Sequence, residues 1–339
     1  MVLIVNMKNI KGGEMYKRII LTGLVLGFSV SLFSQVNPDT LPEKYVPKVI
    51  IEAKWGDGPG EFGYGPGGPG CGPSSIDIDA MGNIYILDNM HGAVKKYNTD
   101  GKLLVEYKHE SFHSASNIVV DNTGNMYIET ADATHNIILK YSLKDGSTHS
   151  FLFPCADISY RVKSISGRII VKNKGKIVFD SKTFGKKQIG SLSASDIEYM
   201  DVQEDGSIMI KGYNRGYKGV RIDIPKEYSP EYYPLPKDKR IKIGLYYIGI
   251  DTLNNRYFYC SYSKIYETPL PLDARPEVKE VVYKYSPTGK LLAMVVLPEP
   301  EIYYEGPSIE TSVRVNKKGN IYVMVPYKDG LKIYKFTQE

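Results

Sequence analysis

One pattern recurs through the chain: an apolar alternating strand, an Asp or Asn, two residues, a Gly or Asn turn, and a second strand. The copies are Ile76 to Asp88, Ile118 to Thr130, Val162 to Lys172, Tyr199 to Lys211, Tyr247 to Cys260 and Val313 to Val325. Their turn positions are Gly82, Gly124, Gly167, Gly206, Asn254 and Gly319, spaced by 42, 43, 39, 48 and 65 residues. That is the period of a four-stranded propeller blade, with the last two spacings stretched by insertions. Turn chemistry explains the repeat without reference to function. Gly or Asn supplies the positive φ of a tight hairpin, and Asp79, Asp121, Asp251 or Asn316 can accept hydrogen bonds from backbone amides across it.

After each second strand comes a third that ends in a Lys-aromatic step: Lys96-Tyr97, Lys140-Tyr141, Lys284-Tyr285 and Lys335-Phe336. A Gly turn and a fourth strand follow, as in Lys102 to Lys108 and Lys290 to Leu297. Each unit is therefore expected to be a four-stranded meander. The last copy reaches Glu339 after three strands, while the lone strand Lys48 to Lys54 belongs to no repeat. The two fragments complete each other, and a ring closed in this way exposes no inner edge. The expectation is an all-β, six-bladed β-propeller over residues 48–339, with the N-terminal strand completing the last blade beside Leu331 to Phe336.

Composition agrees. The chain has 339 residues, 42% hydrophobic, with 28 Tyr and one Trp, and long apolar runs of helical period are scarce. Aromatic and β-branched residues suit pleated, half-buried surfaces. The first 34 residues carry Lys8, Lys11, Lys17, Arg18 and Glu14, so they account for +3 of the net charge of +5 and leave +2 on the rest. A body this evenly charged has no overall field for nucleic acid or an anionic membrane.

From Met15 the chain reads as a signal peptide. Lys17 and Arg18 precede a 15-residue apolar stretch, Ile19 to Phe33, which is shorter than a membrane span. Met15 is a better start than Met1, and the mature chain is expected to begin near Gln35. Residues 1–34 are then a signal peptide and 35–47 a linker. The expected location is periplasmic, cell-surface or secreted, with no membrane span after cleavage.

The segment WGDGPGEFG (Trp55 to Gly63), Pro73 and the run from Ser75 to Leu104 resemble the NHL-repeat family of six-bladed β-propellers. Those repeats join a Gly-x-Gly-Pro-Gly-x-Phe linker to a strand, an Asp-x-x-Gly-Asn turn and an Asp-bearing loop. The match is good in blades one and two, fair in six and poor in three to five, so the resemblance implies fold more than function.

His91 and His135 align when blades one and two are superposed, in neighbouring loops between second and third strands. Some NHL-like propellers resemble lyases that hold zinc through central histidines, but three are needed and blades three to six offer none here. Asp88 and Asp132 share these loops, where propellers resembling lactonases place a ring of acids for calcium; blades three, four and six lack an equivalent. Turn capping accounts for the acids and rim positions for the histidines, with His109, His113 and His149 lying elsewhere. The Gly-rich stretch Gly56 to Gly72 has neither the motif nor the helix of a phosphate loop and reads as a linker across the top of the ring. Cys71 and Cys155 both precede first strands and so share a face, yet blade two stands between them, which leaves their pairing open, as it does that of Cys260. No nucleophile elbow or Ser-His-Asp spacing occurs, so nothing in the sequence supports catalysis, and no cofactor is implied.

The elaborations fall on one face. Gly56 to Gly72, Pro225 to Arg240, Ser261 to Lys279 and Pro298 to Glu310 all emerge with the second-to-third-strand loops. Thirteen of the 28 Tyr lie between residues 225 and 310. Tyr246, Tyr257 and Tyr283 read as strand-packing residues, whereas Tyr232, Tyr233, Tyr262, Tyr266, Tyr303 and Tyr304 are candidate contacts, since tyrosine joins wide apolar area to a polar tip. The leading expectation is a non-catalytic propeller that binds a protein or glycan. The alternative is a metal-dependent hydrolase or lyase with its site in the central channel.

Overall fold

A computed structural model describes residues 40–339 apart from 66–71, 122, 133–134, 155–159, 165–168, 174–175, 181–197, 203–207, 213–219, 223–239, 266–277 and 303–308. It is an all-β propeller. Strands β2 (Ser75–Ile78), β3 (Ile84–Asp88), β4 (Ala93–Tyr97) and β5 (Leu103–Lys108) make the first four-stranded antiparallel sheet. The second is β6 (Asn117–Val120), β7 (Asn125–Ala131), β8 (His135–Ser142) and β9 (Thr148–Pro154). Next come β10 (Tyr160–Ser164), β11 (Ile169–Asn173) and β12 (Lys176–Asp180), then β13 (Glu198–Val202), β14 (Ile208–Gly212) and β15 (Val220–Ile222), two sheets of three strands. Strands β16 (Arg240–Ile250), β17 (Arg256–Ile265), β18 (Val278–Tyr285) and β19 (Leu291–Val296) make the next four-stranded sheet.

The last sheet joins β20 (Val313–Val315), β21 (Ile321–Tyr327) and β22 (Gly330–Gln338) to β1 (Tyr45–Lys54). The outer strand β1 runs antiparallel to β22, from Tyr45 opposite Gln338 to Lys54 opposite Gly330, with one register shift between Val49 and Ile51. The expected pairing of the first and last strands is thus observed. Beyond it, the Glu43 amide donates to the Leu292 carbonyl, and Lys284 Nζ, buried in β18, reaches Glu43 Oε2 at 2.6 Å and Gln338 Oε1 at 3.0 Å. The lead-in to β1 therefore ties the last sheet to the one before it.

Six complete four-stranded blades are not shown: four are. The two sheets built from residues 160–222 have three strands among the described residues, and the residues that follow β12 and β15, 181–197 and 223–239, lie outside them. Their third strands pair with the second without the Lys-aromatic step found in the other repeats. In the complete blades that step sits directly opposite a second-strand tyrosine, in the pairs Tyr85 with Lys96, Tyr127 with Lys140, Tyr257 with Lys284 and Tyr322 with Lys335. Three of these lysines lie over the facing ring, Lys96 at 5.1 Å, Lys284 at 5.8 Å and Lys335 at 5.9 Å from the centroid. Each such pair adds a cation–π attraction to the cross-strand contact.

The hairpin turns follow the expected chemistry. Asp79 Oδ1 accepts from the Met81 and Asn83 amides, Asp121 Oδ1 from Thr123 and Asn125, Asp251 Oδ1 from Leu253 and Asn255, and Asn316 Oδ1 from Lys318 and Asn320. Gly82, Gly124, Asn254 and Gly319 all hold positive φ, between +62° and +89°. Tyr257 and Tyr283 are buried and Tyr246 is partly buried against the core, as strand-packing residues should be.

Polar side chains bind the innermost strands to each other. Arg314 on β20 donates through a guanidinium N–H to Asn117 Oδ1 on β6 at 3.1 Å, and its Nε stands 3.6 Å from Asp77 Oδ1 on β2. Ser75 Oγ also donates to Asn117 Oδ1 at 3.0 Å, and Asp77 Oδ2 accepts from the Val120 amide. Burial outweighs the Arg314 charge and the amide bonds, and pushes the Asp77 pKa up to about 6 from 3.8. A carboxyl whose folded pKa is raised contributes stability that is present below about pH 4 and is lost as the pH rises through about 6. Urea unfolding from pH 4 to pH 7 should show wild-type protein losing up to about 3 kcal/mol relative to Asp77→Asn, most of it by pH 6. Parallel profiles would mean that Asp77 stays ionised throughout.

Candidate functional site

Loops between second and third strands share one face with the connections between sheets, and around the first sheet they converge. The segment after β1 turns back at once. The Gly56 amide donates to the Phe62 carbonyl, the Phe62 amide donates to the Lys54 carbonyl, and Glu61 Oε2 accepts from the Gly58 amide at 2.9 Å. The turn is this tight because Gly56 and Gly58 carry no Cβ: the Glu61 carboxylate stands where one would be, 2.2 Å from a Cβ built on Gly56 and 2.9 Å from one on Gly58.

This segment is fastened to the β3–β4 loop by charge. Asp88, at the end of β3, and Lys95, in the middle of β4, are both buried, and their Oδ2 and Nζ atoms are 2.7 Å apart. Lys95 Nζ also donates to the Glu61 carbonyl and lies 4.4 Å from the centroid of the Phe62 ring. Asp88 Oδ2 accepts from the Gly63 amide at 3.3 Å. His91 spans the outer side, with Nδ1 2.8 Å from Asp88 Oδ2 and Nε2 2.9 Å from Oδ1 of Asp57, whose side chain is fully exposed. The row Asp57, His91, Asp88, Lys95 therefore runs from solvent into the core, each member held by the next.

His91 and Asp88 thus come together, but His135 and Asp132 do not join them. The His135 amide donates to Asp132 Oδ1 at 2.6 Å, and the two side chains stand 3.7 Å apart in their own loop. Among the described residues no three His, Cys, Asp or Glu side chains are grouped so as to hold a metal ion. Asp88 is committed to a lysine, which is the wrong neighbour for a cation ligand.

His113 lies in the connection between β5 and β6, outside the second-to-third-strand loops as the sequence indicates, yet its ring reaches this region. It follows the short helical turn Glu110–Phe112, its Nδ1 is 3.0 Å from the Asn89 carbonyl, and its ring abuts Gly92. His109 caps the same turn by accepting from the Ser111 amide. Trp55 and Tyr64 were also missed. Their rings stack at 5.0 Å with 29° between planes, and Trp55 Nε1 donates to the carbonyl of Tyr327, the last residue of β21, at 2.9 Å.

Of the candidate tyrosines, Tyr262 lies within β17, opposite Ile243 and Lys279, so the strands extend into a segment read as inserted loop. Tyr232, Tyr233, Tyr266, Tyr303 and Tyr304 lie outside the described residues, as do Cys71 and Cys155. Cys260 is buried in β17.

No protein-family model matches the chain, and no curated protein is similar to it. Among solved structures, virginiamycin B lyase from Staphylococcus aureus is similar at 13% identity over 87% of this chain and 99% of that one, with a TM-score of 0.39. A protein of unknown function from Bacteroides thetaiotaomicron gives 11% identity, 88% and 76% coverage and a TM-score of 0.40. YCF48 from Cyanidioschyzon merolae gives 11%, 78% and 96%, and 0.33. At these values the likenesses carry no argument about chemistry, and the propeller is read from the chain's own sheets. The NHL resemblance rests on its motif residues alone.

Proposed function

We propose that the chain is an exported, non-catalytic binding or scaffolding propeller of six blades, related in plan to NHL proteins, that recognises a protein or glycan through its loop-bearing face. The observation that carries this reading is the row from Asp57 to Lys95. Its inner charged groups are spent on one another and on fixing the glycine-rich segment, an arrangement that presents a loop rather than holding a reacting group. Candidate contacts on the same face are Tyr232, Tyr233, Tyr262, Tyr266, Tyr303 and Tyr304. The basic and apolar residues 17–33 support export and maturation near Gln35.

Elemental analysis of natively expressed, purified protein tests the reading against a metal-dependent hydrolase or lyase. The expected result is less than about 0.1 equivalent of zinc or calcium, because a resident catalytic metal would survive purification near stoichiometry. A full equivalent of either metal would overturn the non-catalytic reading.

A further inference from the structure

The stacked pair Trp55 and Tyr64 lies on the loop-bearing face, at the end of the row that fixes the glycine-rich segment. Tyr64 is 38% exposed and Met90, on the adjoining β3–β4 loop, 40%. The two loops are in contact: a Cβ built on Gly63 would stand 2.3 Å from Met90 Cβ and 3.3 Å from His91 Nε2, and one on Gly65 would stand 3.4 Å from Met90 Cε. Gly63 and Gly65, on either side of Tyr64 in the chain, therefore lie against Met90 and His91, and the Tyr64 ring lies on Trp55. The open carboxylate of Asp57 lies two residues beyond Trp55 and is hydrogen-bonded to His91. In the same loop Asn89 keeps a buried Oδ1 with no hydrogen-bond partner among the described residues.

We propose that Trp55, Tyr64 and Met90, with Asp57 and His91 at their edge, form a binding platform for one or two pyranose rings of a neutral oligosaccharide. This deepens the binding reading above and rests on it. A pyranose has an apolar face of C–H bonds and a rim of hydroxyls, each both donor and acceptor. The exposed aromatic and thioether surface matches the first, and a carboxylate beside an imidazole matches the second. The indole is held by its hydrogen bond to Tyr327 and by the ring of Tyr64, so little freedom remains to be lost on binding. Area decides between a sugar and a protein at this spot. A stable protein interface covers roughly 800 Å² on each partner around a buried anchor, whereas two exposed apolar side chains and one carboxylate suit a ligand of one or two rings.

Trp55 is the only tryptophan in the chain, so its emission reports on this place directly. Purified full-length protein would be titrated to 10 mM with gluco-, xylo-, manno- and galacto-oligosaccharides and with N-acetylglucosamine oligomers, by fluorescence and by calorimetry. At least one series should change Trp55 emission saturably. For that sugar Tyr64→Ala should weaken binding about tenfold or more and Asp57→Asn at least threefold, with melting temperatures unchanged. Met81→Ala, on an exposed turn of the opposite face, should bind as wild type. Because Tyr64→Ala also alters the surroundings of Trp55, calorimetry supplies its affinity. No saturable change with any sugar overturns the proposal. So does sugar binding that ignores Tyr64→Ala and Asp57→Asn but is lost in Tyr303→Ala/Tyr304→Ala, an outcome that leaves the binding reading standing and moves its site.

Discussion

Lys95→Met should destabilise the protein by about 3–5 kcal/mol, a loss few single lysines could cause. Most lysines sit in water, where an ion pair is worth little. Lys95 is 2% exposed and its partner Asp88 is fully buried, so removing the ammonium leaves a carboxylate in a dry site with only the Gly63 amide and His91 beside it. Its bond to the Glu61 carbonyl and its place over Phe62 go with it, and the glycine-rich segment loses its inner anchor. Urea unfolding monitored by circular dichroism measures the loss. The double variant Lys95→Met/Asp88→Asn should recover most of it, because the charge that made the single change costly is gone. Lys332→Met, in an open pair with Glu52, should leave the midpoint where it was. A loss below about 1 kcal/mol in Lys95→Met would show that Asp88 is satisfied without it.

Gly101→Ala should cost about 4 kcal/mol, and the reason separates into two parts. Gly101, in the β4–β5 turn, holds φ at +82°, where any Cβ is strained by about 1–2 kcal/mol. A Cβ there would also stand 1.7 Å from the Ile50 carbonyl oxygen, a backbone atom of β1 that cannot swing aside. Gly124, the turn between β6 and β7, isolates the first part: its φ is +84° and nothing lies within 4 Å of its notional Cβ. Gly124→Ala should therefore cost only about 1–2 kcal/mol. The extra loss in Gly101→Ala should appear in hydrogen exchange as faster opening of amides on β1 and β22, since the first blade's turn is wedged against the strand that completes the last. Equal losses in the two variants would mean that the β4–β5 turn does not touch β1.

The parts of this architecture that could be read in the sequence are those made by residues near each other in it. An Asp two residues ahead of the amide it caps writes its turn locally, so Asp79, Asp121 and Asp251 announced their hairpins. The pairing of β1 with β22 was legible for a different reason: a strand without a repeat and a repeat short of a strand leave one solution. The blade-one cluster was hidden because Asp57 and Glu61 meet His91 and Lys95 across 34 residues. Neighbouring lysines on a strand also face opposite ways, so nothing marked Lys95 as the one going inward and Lys96 as the one lying on Tyr85. His113 was passed over because it sits in a connection between sheets, whose path no periodicity reveals. Over residues 160–222 the expectation of full blades rested on spacing alone, and the Lys-aromatic step that faces a second-strand tyrosine in the four complete blades does not occur in those repeats.

The pairing of Tyr45 through Lys54 with Gly330 through Gln338 also sets the order in which the molecule can be made. A ribosome delivers β1 ahead of the other strands of the ring, yet its partner β22 is the last of those strands to emerge, so β1 waits, unpaired, through the synthesis of nearly three hundred residues. Each blade between them can form as a local meander as it appears, at small cost in chain entropy. The ring itself cannot close until β22 has been made. Through all that time β1 offers a free hydrogen-bonding edge, and the two devices that keep such an edge from pairing with a stranger are both present in it: Pro47, which donates no amide hydrogen, and the register break at Val49.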